Sequence, residues 1–177
     1  RQSNQNRWNK FRNTYLKLEV ALFEPRIPQN TGNIARSCAA FNIPLNLIEP
    51  LGFKIEDKYL KRAGLDYWPL VNVNNYVNFD EFLESKLTKR IISFSKKNGI
   101  YLKDFKFQED DVLLFGREDS GLPGNIIDKS DFLISIFMPN LQHETNDQKG
   151  VRSLNLSVAC GIAIYEAYKQ INFQKSN

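Results

Sequence analysis

Residues 18–41 read LEVALFEPRIPQNTGNIARSCAAF. The run Leu18 to Phe23 is apolar apart from Glu19, has the length of a strand, and gives way to a polar, proline-bearing turn. After the turn the period changes. Ile34, Cys38 and Phe41 fall on one helical face over Thr31 to Phe41, and Asn30 or Thr31 stands where a capping side chain is expected. A strand, a polar turn and an amphipathic helix, in that order, open an α/β domain.

The alternation continues outward from this unit. Further strands are expected at Leu45 to Ile48, Leu70 to Val73, Arg90 to Phe94, Val112 to Phe115 and Leu133 to Phe137, and further helices over Asp57 to Arg62, Phe79 to Lys86 and Asn155 to Gln170. The fold class is therefore α/β, a mostly parallel sheet flanked by helices. A chain of 177 residues sets one domain as the expectation, spanning 18–171, with a flexible basic arm at 1–17 and a short tail at 172–177. Hydrophobic residues at 42% and charged residues at 25% exclude a mainly disordered chain or a coiled coil. No apolar run approaches the roughly 18 residues of a membrane helix. The expected location is the cytoplasm. Cys38 and Cys160 are far apart in apolar sequence, which argues against a disulfide scaffold or a zinc site, and with His143 the lone histidine no metal is expected.

The net charge is +4, and its distribution is uneven. The arm to residue 18 carries Arg1, Arg7, Lys10, Arg12 and Lys17 with no acid, which leaves about −1 for the rest. Such an arm is either a disordered terminus or a contact for a polyanion, and removing it would lower the salt dependence of polyanion binding only in the second case. The last helix is apolar at nearly every angular position, so burial on more than one side is expected, with the second side either against another copy of the chain or deep within its own fold. Asn140 to Gly150 reads as a long exposed loop.

Several common sites are missing. No GxGxxG follows the first strand, Gly116 and Gly121 lack the Lys-Ser/Thr of a phosphate loop, and no GxSxG elbow is present. Three polar clusters remain at ends of elements: Pro28-Gln-Asn-Thr-Gly-Asn-Ile-Ala-Arg36, Phe115-Gly-Arg-Glu-Asp-Ser-Gly-Leu-Pro123 and Arg152-Ser-Leu-Asn-Leu-Ser157. Each has a plain structural reading as a helix cap or a tight turn. Together they line up at sheet-edge loops, where α/β domains place their sites.

With Lys61-Arg-Ala-Gly-Leu-Asp-Tyr67 and Tyr165-Glu166-Ala167, the three clusters resemble the SPOUT RNA methyltransferases. Among them the likeness is to the small tRNA 2′-O-methyltransferases of the TrmL or YibK type, which act on the wobble nucleotide. The resemblance covers about residues 19 to 170, in family order. It implies a C-terminal deep trefoil knot, a homodimer, S-adenosylmethionine as cofactor and the tRNA anticodon stem-loop as partner. Carried over by position, the cofactor residues are Phe94, Ser95, Gly116, Glu118, Ile136, Met138, Ser153 and Leu154. The catalytic positions are Asn30, Arg36, Ser153 and Asn155, and the tRNA contacts are Lys58, Lys61, Arg62, Tyr67 and Tyr165. Phe94, and Phe137 within Ile136-Phe137-Met138, depart from the family pattern, which has an aliphatic residue and a proline there.

A guanidinium stays protonated in ordinary conditions, so Arg36 is cast as a stabiliser of developing alkoxide or a clamp on the adjacent phosphate. That phosphate, or Ser153 and water, then handles the proton. The alternatives are a catalytically inactive RNA-binding protein of the same fold and a flavodoxin-like nucleotide-binding enzyme. The second leaves the three clusters unexplained.

Overall fold

The computed structural model describes residues 17–55, 67–140 and 151–173. In chain order these form β1 (Glu19–Phe23), α1 (Pro28–Phe41), β2 (Leu45–Ile48), a 3₁₀ turn (Trp68–Leu70), β3 (Val73–Tyr76), α2 (Phe79–Ser85), β4 (Ile91–Ser95) and β5 (Ile100–Tyr101). A second 3₁₀ turn (Leu102–Asp104) leads to β6 (Val112–Phe115), α3 (Gly124–Ile127), β7 (Phe132–Ser135) and α4 (Leu156–Phe173). The strands make one seven-stranded sheet in the order β3-β2-β1-β6-β4-β7-β5, and every pairing is parallel. The α/β class with a parallel sheet and flanking helices is as the sequence implies.

Alternation along the central strands divides the core. In β1, Val20 and Leu22 face the layer that holds Ile34 and Cys38 of α1 and Cys160, Ala163, Ile164 and Ala167 of α4. Ala21 and Phe23 face Phe79 and Phe82 of α2 and Ile126 of α3. With both faces covered, β1, β2 and β6 are buried along their whole length, which is why they read as apolar runs interrupted only by Glu19 in β1 and Asn46 in β2. At the N-terminal edge of the sheet the buried Glu19 is neutralised by Lys86 and Lys89, both at 2.6 Å, and takes a further hydrogen bond from Asn46 Nδ2 at 2.8 Å. Burial pushes the Glu19 pKa upward, but these bonds outweigh it and hold the carboxyl below its ordinary value.

Several elements differ from expectation. Helix α1 begins at Pro28, with Ile27 as its N-cap and no side-chain cap bond, so Asn30 and Thr31 lie inside the first turn. Proline favours that first helical position because it has no N–H to satisfy. The strand expected at Leu70 to Val73 is displaced to Val73–Tyr76, since Trp68–Leu70 folds as a 3₁₀ turn around Pro69. β7 ends at Ser135, which frees Ile136, Phe137 and Met138 from the sheet. β5 and α3 are elements beyond those expected. The helix expected over Asp57 to Arg62, most of the arm, residues 141–150 of the long loop and 174–177 of the tail lie outside the described residues.

Candidate active site

Because the sheet is parallel, the C-terminal ends of β1, β4, β6 and β7 open on one edge. The chain fills one side of β1 with β2 and β3 and then crosses to build the other side. Crevices at such reversals are where open α/β sheets bind ligands. A cavity of about 720 Å³ lies at this edge, within the range of small-molecule sites. Its wall comes from the loops that leave β1 (Ile27, Asn30), β4 (Phe94, Ser95, Lys96), β6 (Phe115 to Leu122) and β7 (Ile136, Met138), and from Arg152 to Leu156 ahead of α4.

The β6 loop is held tightly. Arg117 N–H donates to Gly121 O at 3.1 Å and Gly121 N–H returns a bond to Arg117 O at 2.9 Å, with Gly121 at φ 71°. Inside this staple a Cβ on Gly116 would stand 2.2 Å from the Gly121 carbonyl carbon and 2.4 Å from Leu122 N, so only glycine fits. The staple presents Glu118 to the start of α1. Its carboxylate accepts from Arg26 N–H at 2.8 Å, Ile27 N–H at 3.1 Å and Asn30 Nδ2 at 3.2 Å. The chain of bonds then runs on, as Asn155 Nδ2 donates to Asn30 Oδ1 at 3.0 Å and Asn155 Oδ1 accepts from Ser157 N–H at 2.9 Å, capping α4. Asn30 is thus a bridge between two clusters rather than a helix cap. Behind Glu118, Glu24, itself in the left-handed region at φ 46°, pairs with Arg117 and with Arg26.

Of the residues singled out in the sequence, Asn30, Phe94, Ser95, Gly116, Glu118, Ile136, Met138, Ser153, Leu154 and Asn155 all line this one cavity. Phe94 stacks on Phe115 with centroids 4.6 Å apart and planes 13° from parallel, giving a flat aromatic wall. Arg36 does not line it. Six residues beyond Asn30 on α1, it lies about 9 Å along the helix and about 120° around it, and its exposed guanidinium sits 4.8 Å from the ring centre of Tyr67. Tyr165 is exposed on α4. Lys58, Lys61 and Arg62 lie outside the described residues. Sequence reading left Arg117, Lys96 and the backbone amides of Arg26 and Ile27 unassigned; Arg117 was within a quoted motif, while a backbone donor leaves no residue-type signal. Among the described residues no group of acidic, histidine or cysteine side chains could hold a metal.

A cavity with a stacked aromatic wall, aliphatic and thioether side chains and a hydrogen-bonded carboxylate suits a ligand with a flat heterocycle and polar edges. That defines an α/β protein with a nucleoside-sized site at its strand ends. The chain belongs to the SpoU rRNA Methylase family, whose model matches residues 17–165. It is 40% identical over 157 residues to the tRNA (cytidine(34)-2′-O)-methyltransferase of Saccharophagus degradans, covering 89% of this chain and 97% of that one. A structure solved in work on 2-OH methylation of C/U34 on tRNA superposes with a TM-score of 0.78 at 45% identity, over 86% of this chain and 95% of that one. The AdoMet-bound rRNA methyltransferase of Sinorhizobium meliloti shares the fold, with a TM-score of 0.73 at 22% identity over 86% of this chain and 56% of that one.

Proposed function

We propose that the chain transfers a methyl group from S-adenosylmethionine to the ribose 2′-hydroxyl of nucleotide 34, a cytidine or uridine, in a tRNA anticodon loop. The observation that carries this reading is the meeting of three separate sequence clusters on one cavity at the strand ends. Support comes from a relative 40% identical that is a tRNA (cytidine(34)-2′-O)-methyltransferase and from the structure, 45% identical, solved in work on methylation of C/U34, each matched along nearly its whole length. Those names favour a transferase over the inactive RNA-binding reading.

Bound in the cavity, S-adenosylmethionine supplies an electrophilic methyl carbon on a sulfonium. Phe94, Ser95, Gly116, Glu118, Ile136, Met138, Ser153 and Leu154 would hold it. The stacked Phe94–Phe115 wall and the side chains of Ile136, Met138 and Leu154 exclude water, which strengthens every polar interaction in the site. Positioning does most of the work in an in-line displacement, and Glu118, Asn30 and Asn155 lock the loop after β6 to the N-termini of α1 and α4. The hydroxyl proton leaves to a neighbouring phosphate, or by way of Ser153 to water, and Arg36 stabilises the developing negative charge.

Arg36 points away from the cavity of its own protomer, so it would serve a site on a second copy. Val158 and Ile162 lie exposed one turn apart on α4, and such an apolar stripe beside α1 supports a homodimer joined through these helices. The reading extends to a C-terminal trefoil knot, to tRNA contacts by Lys58, Lys61, Arg62, Tyr67 and Tyr165, and to a cytoplasmic location. Among the described residues no helix is long and apolar enough to cross a membrane.

The test is calorimetric titration of S-adenosylhomocysteine with light scattering on the same sample, followed by mapping of 2′-O-methyl groups in bulk tRNA incubated with protein and cofactor. Saturable binding and a new methyl at nucleotide 34 are expected; a folded protein that binds no S-adenosylhomocysteine refutes the reading. Arg36→Ala should abolish turnover at saturating tRNA, and wild-type turnover in both Arg36→Ala and Arg36→Lys removes Arg36 from the mechanism.

A further inference from the structure

Phe137 lies between two residues that line the cavity, Ile136 and Met138, yet its own ring turns outward and is 63% exposed. Tyr101, at the end of β5, is 47% exposed and meets it edge to face, with centroids 5.6 Å apart and planes at 87°. An edge-to-face contact occupies the face of one ring at most and leaves the other open. β5 is the outermost strand on this side of the sheet, so the pair stands at the rim, beside the cavity mouth.

The stretch that carries Tyr101 is predominantly basic. Residues 96–106 carry Lys96, Lys97, Lys103 and Lys106 against Asp104 alone, whereas the chain from residue 18 onward sums to about −1. Lys96 and Arg152, both exposed, line the cavity itself. Interfaces with proteins are depleted of lysine at their centres. Open aromatic faces interleaved with cations are instead what single-stranded RNA requires, the bases stacking and the phosphates meeting the charges.

We propose that Phe137 and Tyr101 form a stacking platform for an unpaired base of the RNA substrate, with Lys96 and Arg152 against the adjoining phosphates. This rests on the tRNA reading above and adds the place where a nucleotide near the reacting one is gripped. The ring at position 137 is a departure from the family pattern, which has proline there.

The experiment measures binding of a fluorescein-labelled anticodon stem-loop by anisotropy, for the wild type, Phe137→Ala, Tyr101→Ala, Phe137→Trp and Lys96→Ala. S-adenosylhomocysteine affinity and subunit count are measured on the same samples. Each aromatic-to-alanine change should weaken RNA binding by roughly 5- to 100-fold with cofactor affinity and mass unchanged, and Phe137→Trp should restore it. Lys96→Ala should lower the slope of log affinity against log salt by about 0.7, which the aromatic variants leave as it is. Wild-type RNA affinity in both alanine variants overturns the platform and leaves the tRNA reading standing. A parallel fall in S-adenosylhomocysteine affinity makes the pair a wall of the cofactor site, and a fall in mass makes it a self-association face; either overturns the proposal. A wild-type protein that binds no stem-loop at all refutes the tRNA reading together with it.

Discussion

Substituting Asn30→Asp tests the bridge at the centre of the site with almost no change of shape. Asn30 is 5% exposed, and its Nδ2 donates to Glu118 Oε1 at 3.2 Å while its Oδ1 accepts from Asn155 at 3.0 Å. An aspartate keeps the second bond. It replaces the first with two facing carboxylate oxygens. Two unit charges about 4 Å apart repel by about 1 kcal/mol in water and about 4 kcal/mol at the effective dielectric of a protein surface. Glu118 is half-buried, so a value between these limits applies, and the lost hydrogen bond adds about 1 kcal/mol. The sum is about 3 kcal/mol at neutral pH, or a fall in melting temperature on the order of 6–12 °C for a domain of this size.

The sign of the pH dependence separates this mechanism from ordinary damage. When either carboxyl takes a proton it becomes a donor to the other, so the deficit of Asn30→Asp relative to wild type should shrink as pH falls from 8 to 5. Urea unfolding of both proteins across that range is the assay. Adding Glu118→Gln in the same chain returns a donor to the pair, and the double variant should be at least 1 kcal/mol more stable than the two single effects added together. A deficit independent of pH, or strict additivity, would refute the bridge and return Asn30 to a helix residue of no special role.

Other consequences follow from the same geometry. Gly116→Ala places a methyl 2.2 Å from the Gly121 carbonyl carbon, and because the clash is with backbone the Arg117–Gly121 staple must open; calorimetry should show S-adenosylhomocysteine affinity reduced at least tenfold, and unchanged affinity would contradict the tight turn. Glu19 contributes stability that is present above its unfolded value near 4.5 and is lost as pH falls through its lowered folded value. Glu19→Gln, which leaves the buried Lys86 without its charged partner, should therefore be destabilised by about 3 kcal/mol at pH 7 and by much less near pH 3, as read by urea denaturation. Burial pushes the Cys38 thiol up to about 12 and Cys160 well above its ordinary value, so neither should react with a disulfide reagent at pH 8 until urea unfolds the chain; rapid labelling of the native protein would contradict the packing of α1 on α4.

What could be read from the chain depended on whether a residue's role was set locally. β2 and β6 coincide with their apolar runs, and β1 with all but the first residue of its run, because strands covered on both faces have no polar side to obscure them. β3 escaped the same reading. Its Asn74 and Asn75 look like loop, but Asn74 is held across the sheet by Asn46, which in turn is bound to the buried Glu19, and no window along the sequence reports that ladder. β5, two residues long, is a strand only because β7 lies beside it.

The site divides in the same way. Its clusters were visible because polar residues and glycines gathered where apolar periodicity stopped, yet their most telling feature was misread. Asn30 looked like a cap, since Asn at the start of a helix usually satisfies a local N–H. With Pro28 at the first helical position and Ile27 as the cap residue, the turn has no use for that side chain, and it reaches instead to a carboxylate 88 residues away. A capping residue two places inside a helix that already starts with proline is therefore surplus to local need, and a buried surplus amide must find a distant partner. Arg36 lies on the same helix and in the same motif, but its angular position carries it out of the cavity lining and over the ring of Tyr67, and only the folded chain separates the residue that closes the site from the one left exposed outside it.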